Sequence, residues 1–271
     1  MTARGLPEER DRPKANSDGC SSCRLAFVVD PTSKPLAPGQ RRFWLQSRLF
    51  PDSSVCNDGV VLWLEGPLDP EAWEAAVRQL GERHDAFRTS FHEADGAGRV
   101  RVRERADVVL QHLDGGRFEG SDAKFREWLD EEARRPLDVR SAPLARFTLV
   151  AFAPERHALV AVLHHLIMDG TSFLQILPDD LVEAVELQSG KPALPPRGFS
   201  EFAELQRDLM TSEASVRSRE HWRERLHQPP PPLDLTTDRA REGRSVSGGR
   251  RKRWLSPSTL DGARDLASRL D

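Results

Sequence analysis

Residues 145–170 read ARFTLVAFAPERHALVAVLHHLIMDG, and the fold turns on this stretch. Two β-rich runs, 145–152 and 157–165, flank Ala153-Pro154-Glu155-Arg156, which predicts a hairpin with a tight turn. Leu159 to Leu163 is apolar without interruption. A strand wetted on one side alternates, so an unbroken apolar run predicts a central strand buried on both faces. That strand ends on His164 and His165. Adjacent strand residues point to opposite faces, so one imidazole can enter a cleft while the other bonds within the scaffold. Asp169, four residues after His165, can orient the imidazole or anchor the loop through an arginine. Gly170 permits a turn or close approach that a Cβ would block. The residues alone leave several readings open. They are a locally bonded structural pair, a base held on a rigid mount, and a zinc site, the last without a third ligand at plausible spacing.

Outward from this stretch, residues 1–33 are polar and aperiodic and are read as a disordered tail. Globular patterning starts at Pro35-Leu36. GQRRFWLQSRL (39–49) has helical spacing, and VVLWLEG (60–66) reads as a strand. Asp69 then caps a helix with Pro70 at its first position and a buried stripe of Ala72, Trp73, Ala76, Val77 and Leu80. RTSFHE and RVRVRERADVVLQHL are extended on either side of a turn at Asp95-Gly96, and a helix over 122–135 stops at Pro136. After Gly170 a helix is expected with Ser172 as N-cap and a kink at Pro178. Next come a Pro/Gly linker (190–198), one long polar helix from Phe199 to Leu226, the prolines 229–232, a short strand KRWLS (252–256) and a helix from Pro257. This irregular alternation predicts an α/β or α+β sandwich rather than a doubly wound nucleotide fold. No G-x-G-x-x-G or P-loop is present.

The 271 residues suffice for one large domain or two small ones, and 38% hydrophobic with 31% charged residues fits a globular chain with a charged surface. No apolar run approaches the ~18 residues of a membrane span, and the N-terminus lacks an apolar leader core, so a cytoplasmic location is expected, with no membrane partner. A net charge of -3 gives nucleic-acid binding no support. The cluster Arg250-Arg251-Lys252-Arg253 is read as a solvated loop. Cys20 and Cys23 form a C-x-x-C without a second pair at zinc spacing and are read as two thiols of the tail.

His164-His165-Leu166-Ile167-Met168-Asp169-Gly170 resembles the HHxxxDG signature of the condensation domains of nonribosomal peptide synthetases. Other segments resemble that family's motifs in the family's order: LAPGQRRFWL (36–45), RHDAFRTSF (83–91), RPLDVRSAPLARFTLV (135–150), FAELQRDL (202–209), EHWRERL (220–226) and PPPLDLTTDRAR (230–241). The resemblance implies an α/β, chloramphenicol-acetyltransferase-like sandwich forming one lobe of a V-shaped two-lobe domain. Residues 34–245 would be the N-terminal lobe and 246–271 the truncated start of the second. It implies attack of a carrier-bound acceptor amine on a carrier-bound acyl or peptidyl thioester. The partners would be peptidyl or acyl carrier protein domains and other synthetase modules. No cofactor or metal would be bound directly; substrates ride on the carriers' phosphopantetheine.

For the site, the resemblance implies that His165 faces the tunnel as base or positioner of the amine and that His164 is scaffold. It further implies that Asp169 is salt-bridged to Arg83, with Arg88 second, that the Gly170 amide is an oxyanion donor, and that Trp222 packs in the core. Pro38-Gly39 departs from the first motif, Phe173 disfavours the epimerisation subtype, and the intact histidine pair disfavours heterocyclisation. With the second lobe missing, the chain alone is expected to have little or no activity. Two alternatives stay open: a stand-alone acyltransferase of the same fold using a soluble amine or alcohol, and an inactive carrier-docking lobe.

Overall fold

The computed structural model describes residues 33–186, 198–231, 233, 235, 236 and 253–270. Cys20, Cys23, Arg250, Arg251, Lys252 and most of the linker lie outside them. The chain divides into two units, residues 1–219 and 220–271. In order the elements are β1 (Ser33–Pro35), α1 (Pro38–Leu49), β2 (Asn57–Glu65), α2 (Pro70–Arg83), β3 (Thr89–Ala94), β4 (Ala97–Val102), β5 (Leu110–Asp114), α3 (Asp122–Arg134), β6 (Ala145–Ala153), β7 (Arg156–His164), α4 (Leu177–Glu186), α5 (Phe199–Thr211), α6 (Glu213–Arg225) and α7 (Pro257–Leu270).

The first unit is built on a four-stranded sheet in the order β2-β7-β6-β5, antiparallel except for β5 beside β6. The expected hairpin is β6–β7, and β7 is central, with every residue from His157 to His164 buried. Its alternate residues serve two cores. Leu159, Ala161 and Leu163 pack with Val77 and Leu80 of α2 and Leu181 of α4, while Ala158 and Val160 pack with Phe118 and with Phe125 of α3. This explains the unbroken apolar run, since both faces are covered. Each of the larger buried side chains contributes about 2 kcal/mol by leaving water.

A second sheet, β1-β4-β3, is antiparallel and packs with α1 around Leu36, Phe91, Val100, Leu144 and Leu166. Its β3–β4 hairpin turns at Asp95-Gly96, both at positive φ (53° and 70°), the backbone that a two-residue hairpin turn requires. α2 starts as expected, with the Asp69 carboxylate accepting from the Glu71 amide at 3.0 Å.

Several expectations are corrected. Ser33, placed in the tail from sequence, belongs to β1, paired with Arg101. The segment after Gly170 is helical from its first residues and takes a π-helical turn over Ser172–Ile176 directly before α4, a widened turn that accommodates Pro178 inside the helical run. The long polar helix is two helices. Ser212 adopts extended backbone (φ -65°, ψ 156°), and its hydroxyl accepts from the Ser215 amide at 3.3 Å, so local side-chain bonding ends α5 and caps α6. In the second unit α7 begins at Pro257 as expected, with Ser256 Oγ accepting from the Thr259 amide at 3.1 Å. Arg253–Ser256 are not a strand, and Trp222, expected in the core, is 54% exposed. Among the described residues no helix is long and apolar enough to cross a membrane.

Candidate active site

The two histidines diverge as the strand alternation demands. His164 is the last residue of β7 and is 3% exposed. Its Nδ1 accepts from the Leu166 amide at 3.0 Å, so the ring proton sits on Nε2, 3.3 Å from Ser47 Oγ, which in turn donates to the Phe43 carbonyl at 2.9 Å. Burial, and secondly the neighbouring His165, push this imidazole down to about 4. It is therefore neutral near pH 7, and both nitrogens are used inside the scaffold. The adjoining turn is clamped by Gln40, 5% exposed, whose Nε2 donates to the Leu166 carbonyl at 2.9 Å while its Oε1 accepts from the Ala37 amide at 3.0 Å.

His165 continues the β2–β7 ladder by one bond, its amide donating to the Cys56 carbonyl at 2.8 Å. Its imidazole lies flat on Phe43 of α1, with ring centroids 4.7 Å apart and planes within 3°. The Asp58 carboxylate stands 2.7 Å from His165 Nε2, with side chains 46% and 30% exposed. The geometry follows from register. Asn57 faces His164, so Cys56 faces His165, and Asp58 is the diagonal same-face neighbour within reach of a long side chain. Burial first, and then the Asp58 charge, push the buried Cys56 thiol up. The site therefore offers a planar, partly exposed imidazole held on one side by an aromatic ring and on the other by a carboxylate.

Asp169 does not pair with Arg83 or Arg88. Its Oδ1 accepts from the Ser172 amide and hydroxyl, both at 2.8 Å, and these bonds hold its carboxyl below the usual carboxylate range. Asp169 thus caps the helical segment that opens at Gly170, the role expected of Ser172. Arg83 instead faces α4, 3.2 Å from Asp180 and 2.5 Å from Glu183. Arg88 donates to the carbonyls of Gly81 and Arg103. A longer-range pairing loses to a local one because an aspartate beside free helix-start amides finds its donors without loop closure. Gly170 lies outside the left-handed region, and a Cβ there would meet nothing within 4 Å, so no close approach demands a glycine.

A cavity of about 630 Å³, walled by Leu80, Phe87, Met168, Phe173, Phe202 and Leu205, lies on the α2–α4 side of the sheet. His165 is not on its wall, so the chemistry is read at the imidazole and not at the cavity. Asp58 and Phe43 were not singled out from sequence. Placing the start of β2 at Val60 left Asp58 outside the strand, and the helical spacing of 39–49 gave Phe43 only a packing role.

The condensation-domain profile matches residues 32–270. The chain belongs to the condensation-domain family. It is 34% identical over 205 residues to tyrocidine synthase 3 of Brevibacillus parabrevis, covering 75% of this chain and 3% of the synthase. It is 31% identical over 242 residues to phosphinothricin tripeptide synthetase PhsC of Streptomyces viridochromogenes, covering 87% of this chain and 22% of the synthetase. Among solved structures it resembles the starter condensation domain of rhizomide synthetase RzmA, with TM-score 0.66 and 22% identity over 74% of this chain and 49% of that one. It also resembles the first condensation domain of the calcium-dependent antibiotic synthetase in complex with a substrate analogue, with TM-score 0.67 and 22% identity over 74% and 49%. This condensation-domain chain therefore spans about half the length of those solved domains and a small part of the synthetases. Its two-sheet α/β architecture is that of a chloramphenicol-acetyltransferase-like lobe, as expected.

Proposed function

We propose that this chain contributes the histidine-bearing lobe of an amide-forming condensation domain. The donor is an acyl or peptidyl thioester and the acceptor an amine, both carried on phosphopantetheine by carrier domains of a synthetase. The observation that carries the reading is the His165 imidazole, partly exposed at the end of a buried central strand and seated on Phe43, within a chain matched to the family over residues 32–270. A rigid mount and one exposed imidazole suit the task, which is to place an amine against a thioester and move a proton.

In this reading His165 is the catalytic residue and His164 the scaffold. Asp169 fixes the turn that follows, and the Gly170 amide, at the open first turn of a helix, donates to the carbonyl oxygen as charge develops. The test is amide formation between carrier-loaded donor and acceptor, for this chain alone and for this chain joined to the second lobe of a related condensation domain. Turnover is expected only in the joined form and is lost in His165→Ala. Efficient transfer to a soluble amine or alcohol, independent of a carrier, refutes the reading in favour of a stand-alone acyltransferase. Carrier binding without turnover in the joined form refutes it in favour of a docking lobe.

A further inference from the structure

We propose that Asp58 is an acceptor-selecting residue, which with His165 forms an anionic seat for the acceptor nitrogen in its ammonium form. The inference rests on the condensation reading and adds a residue that no sequence motif marks. The carboxylate stands 2.7 Å from His165 Nε2, and both side chains are partly exposed, at 46% and 30%. The imidazole is held in place by the Phe43 ring and by its own amide on Cys56. Among the described residues no lysine or arginine pairs with Asp58. Arg42, which lies against Phe43 at 4.4 Å from the ring centroid, has no ion pair with it. His164 is neutral near pH 7 and supplies no balancing charge. A carboxylate beside a neutral imidazole carries one negative charge. The pair is therefore open to a cation.

An α-amine is largely protonated at neutral pH, with an ordinary value of ~8. With His165 Nε2 donating to Asp58 Oδ2, such an ammonium can donate to the other carboxylate oxygen, whereas an uncharged hydroxyl gains no ion pairing. The nitrogen must lose a proton before its lone pair can attack. His165 takes that proton on Nδ1, the nitrogen not bonded to Asp58, and Asp58, which holds Nε2–H, stabilises the imidazolium that results. The C–N bond then forms at the thioester carbonyl, and the C–S bond breaks. Of the two protons lost between ammonium and amide, one leaves on the departing thiol and the other goes to solvent.

The test titrates this chain with alanyl-pantetheine amide and with lactyl-pantetheine amide, probes that differ only in amine against hydroxyl. Binding is read from the ring signals of His165 in histidine-labelled protein. The amine probe is expected to bind more tightly by up to about fivefold, the upper end for a partly exposed ion pair. Asp58→Asn brings the two probes to equal affinity, and Asp58→Glu keeps the preference. These variants are compared only as a ratio of two ligands on one protein, so a general loss of stability does not imitate the effect. Equal binding of the two probes to the unaltered chain, no binding of either up to its solubility limit, or a preference that survives Asp58→Asn overturns the proposal. Carrier-dependent condensation in the joined form that persists in Asp58→Asn with an unchanged amine-over-hydroxyl ratio also overturns it, while leaving the condensation reading intact.

Discussion

Acid should unfold this domain partly through one residue, His164. In the folded chain its imidazole sits at about 4, against 6.5 ordinarily, because the ring is buried and next to His165. The unfolded chain therefore binds a proton that the folded chain refuses, and stability rises with pH between these values. The contribution is fully present above about pH 6.5 and declines as the pH falls towards about 4, where the full gap is worth about 3 kcal/mol. At about pH 5, relative to about pH 7.5, the expected loss is about 2 kcal/mol. The perturbing variant is His164→Asn, whose side-chain oxygen can accept from the Leu166 amide as Nδ1 does but does not titrate. Urea unfolding of both proteins is followed by circular dichroism at the two pH values. The variant is less stable at neutral pH, but its loss on acidification is smaller than that of the unaltered protein by about 2 kcal/mol. Contributions from the other histidines cancel in this difference. Equal acid losses in the two proteins, or a ring signal of His164 that titrates near the ordinary imidazole value, would refute the reasoning.

Other outcomes follow from the same geometry. Asp169→Ala removes the cap on the segment after Gly170 and costs about 1 kcal/mol in urea unfolding, whereas Asp169→Asn retains most of it. Because its carboxyl is held low by the Ser172 bonds, this contribution is present above the ordinary carboxylate range and fades as pH falls through the folded value. Arg83→Met leaves Asp180, 8% exposed, with His84 at 2.5 Å as its remaining ion-pair partner among the described residues and costs about 3 kcal/mol. Hydrogen exchange should localise its opening to α2 and α4 and leave the Asp169 turn protected. Gly115→Ala drives a Cβ to 2.7 Å from the Ala151 carbonyl oxygen and costs about 2 kcal/mol, read as a lowered urea midpoint.

Much of the architecture is legible in local sequence. The apolar run of 159–163 demands a central strand, Asp95-Gly96 a hairpin turn, and Asp69-Pro70 a helix start, because each rests on side-chain burial or backbone conformation a few residues wide. Local chemistry also explains where the reading failed. The seryl hydroxyl at 212 divides the polar run 199–226 into two helices, and Asp169 takes the nearest amides rather than a distant arginine. Trp222 carries no signal in its surroundings that separates a packed face from an exposed one.

What the sequence by itself determined is the histidine pair at the end of a buried strand, the order of motifs around it and, through them, the family. What only the tertiary structure decided is what those histidines meet. His164 is neutral near pH 7 because it is buried and stands beside His165, while Ser47 and the Leu166 amide occupy its nitrogens. His165 faces Asp58 because β2 and β7 pair in one particular register. Register and burial arise from contacts between segments about a hundred residues apart in sequence, and a diagonal cross-strand pair leaves no trace in the spacing of either strand alone.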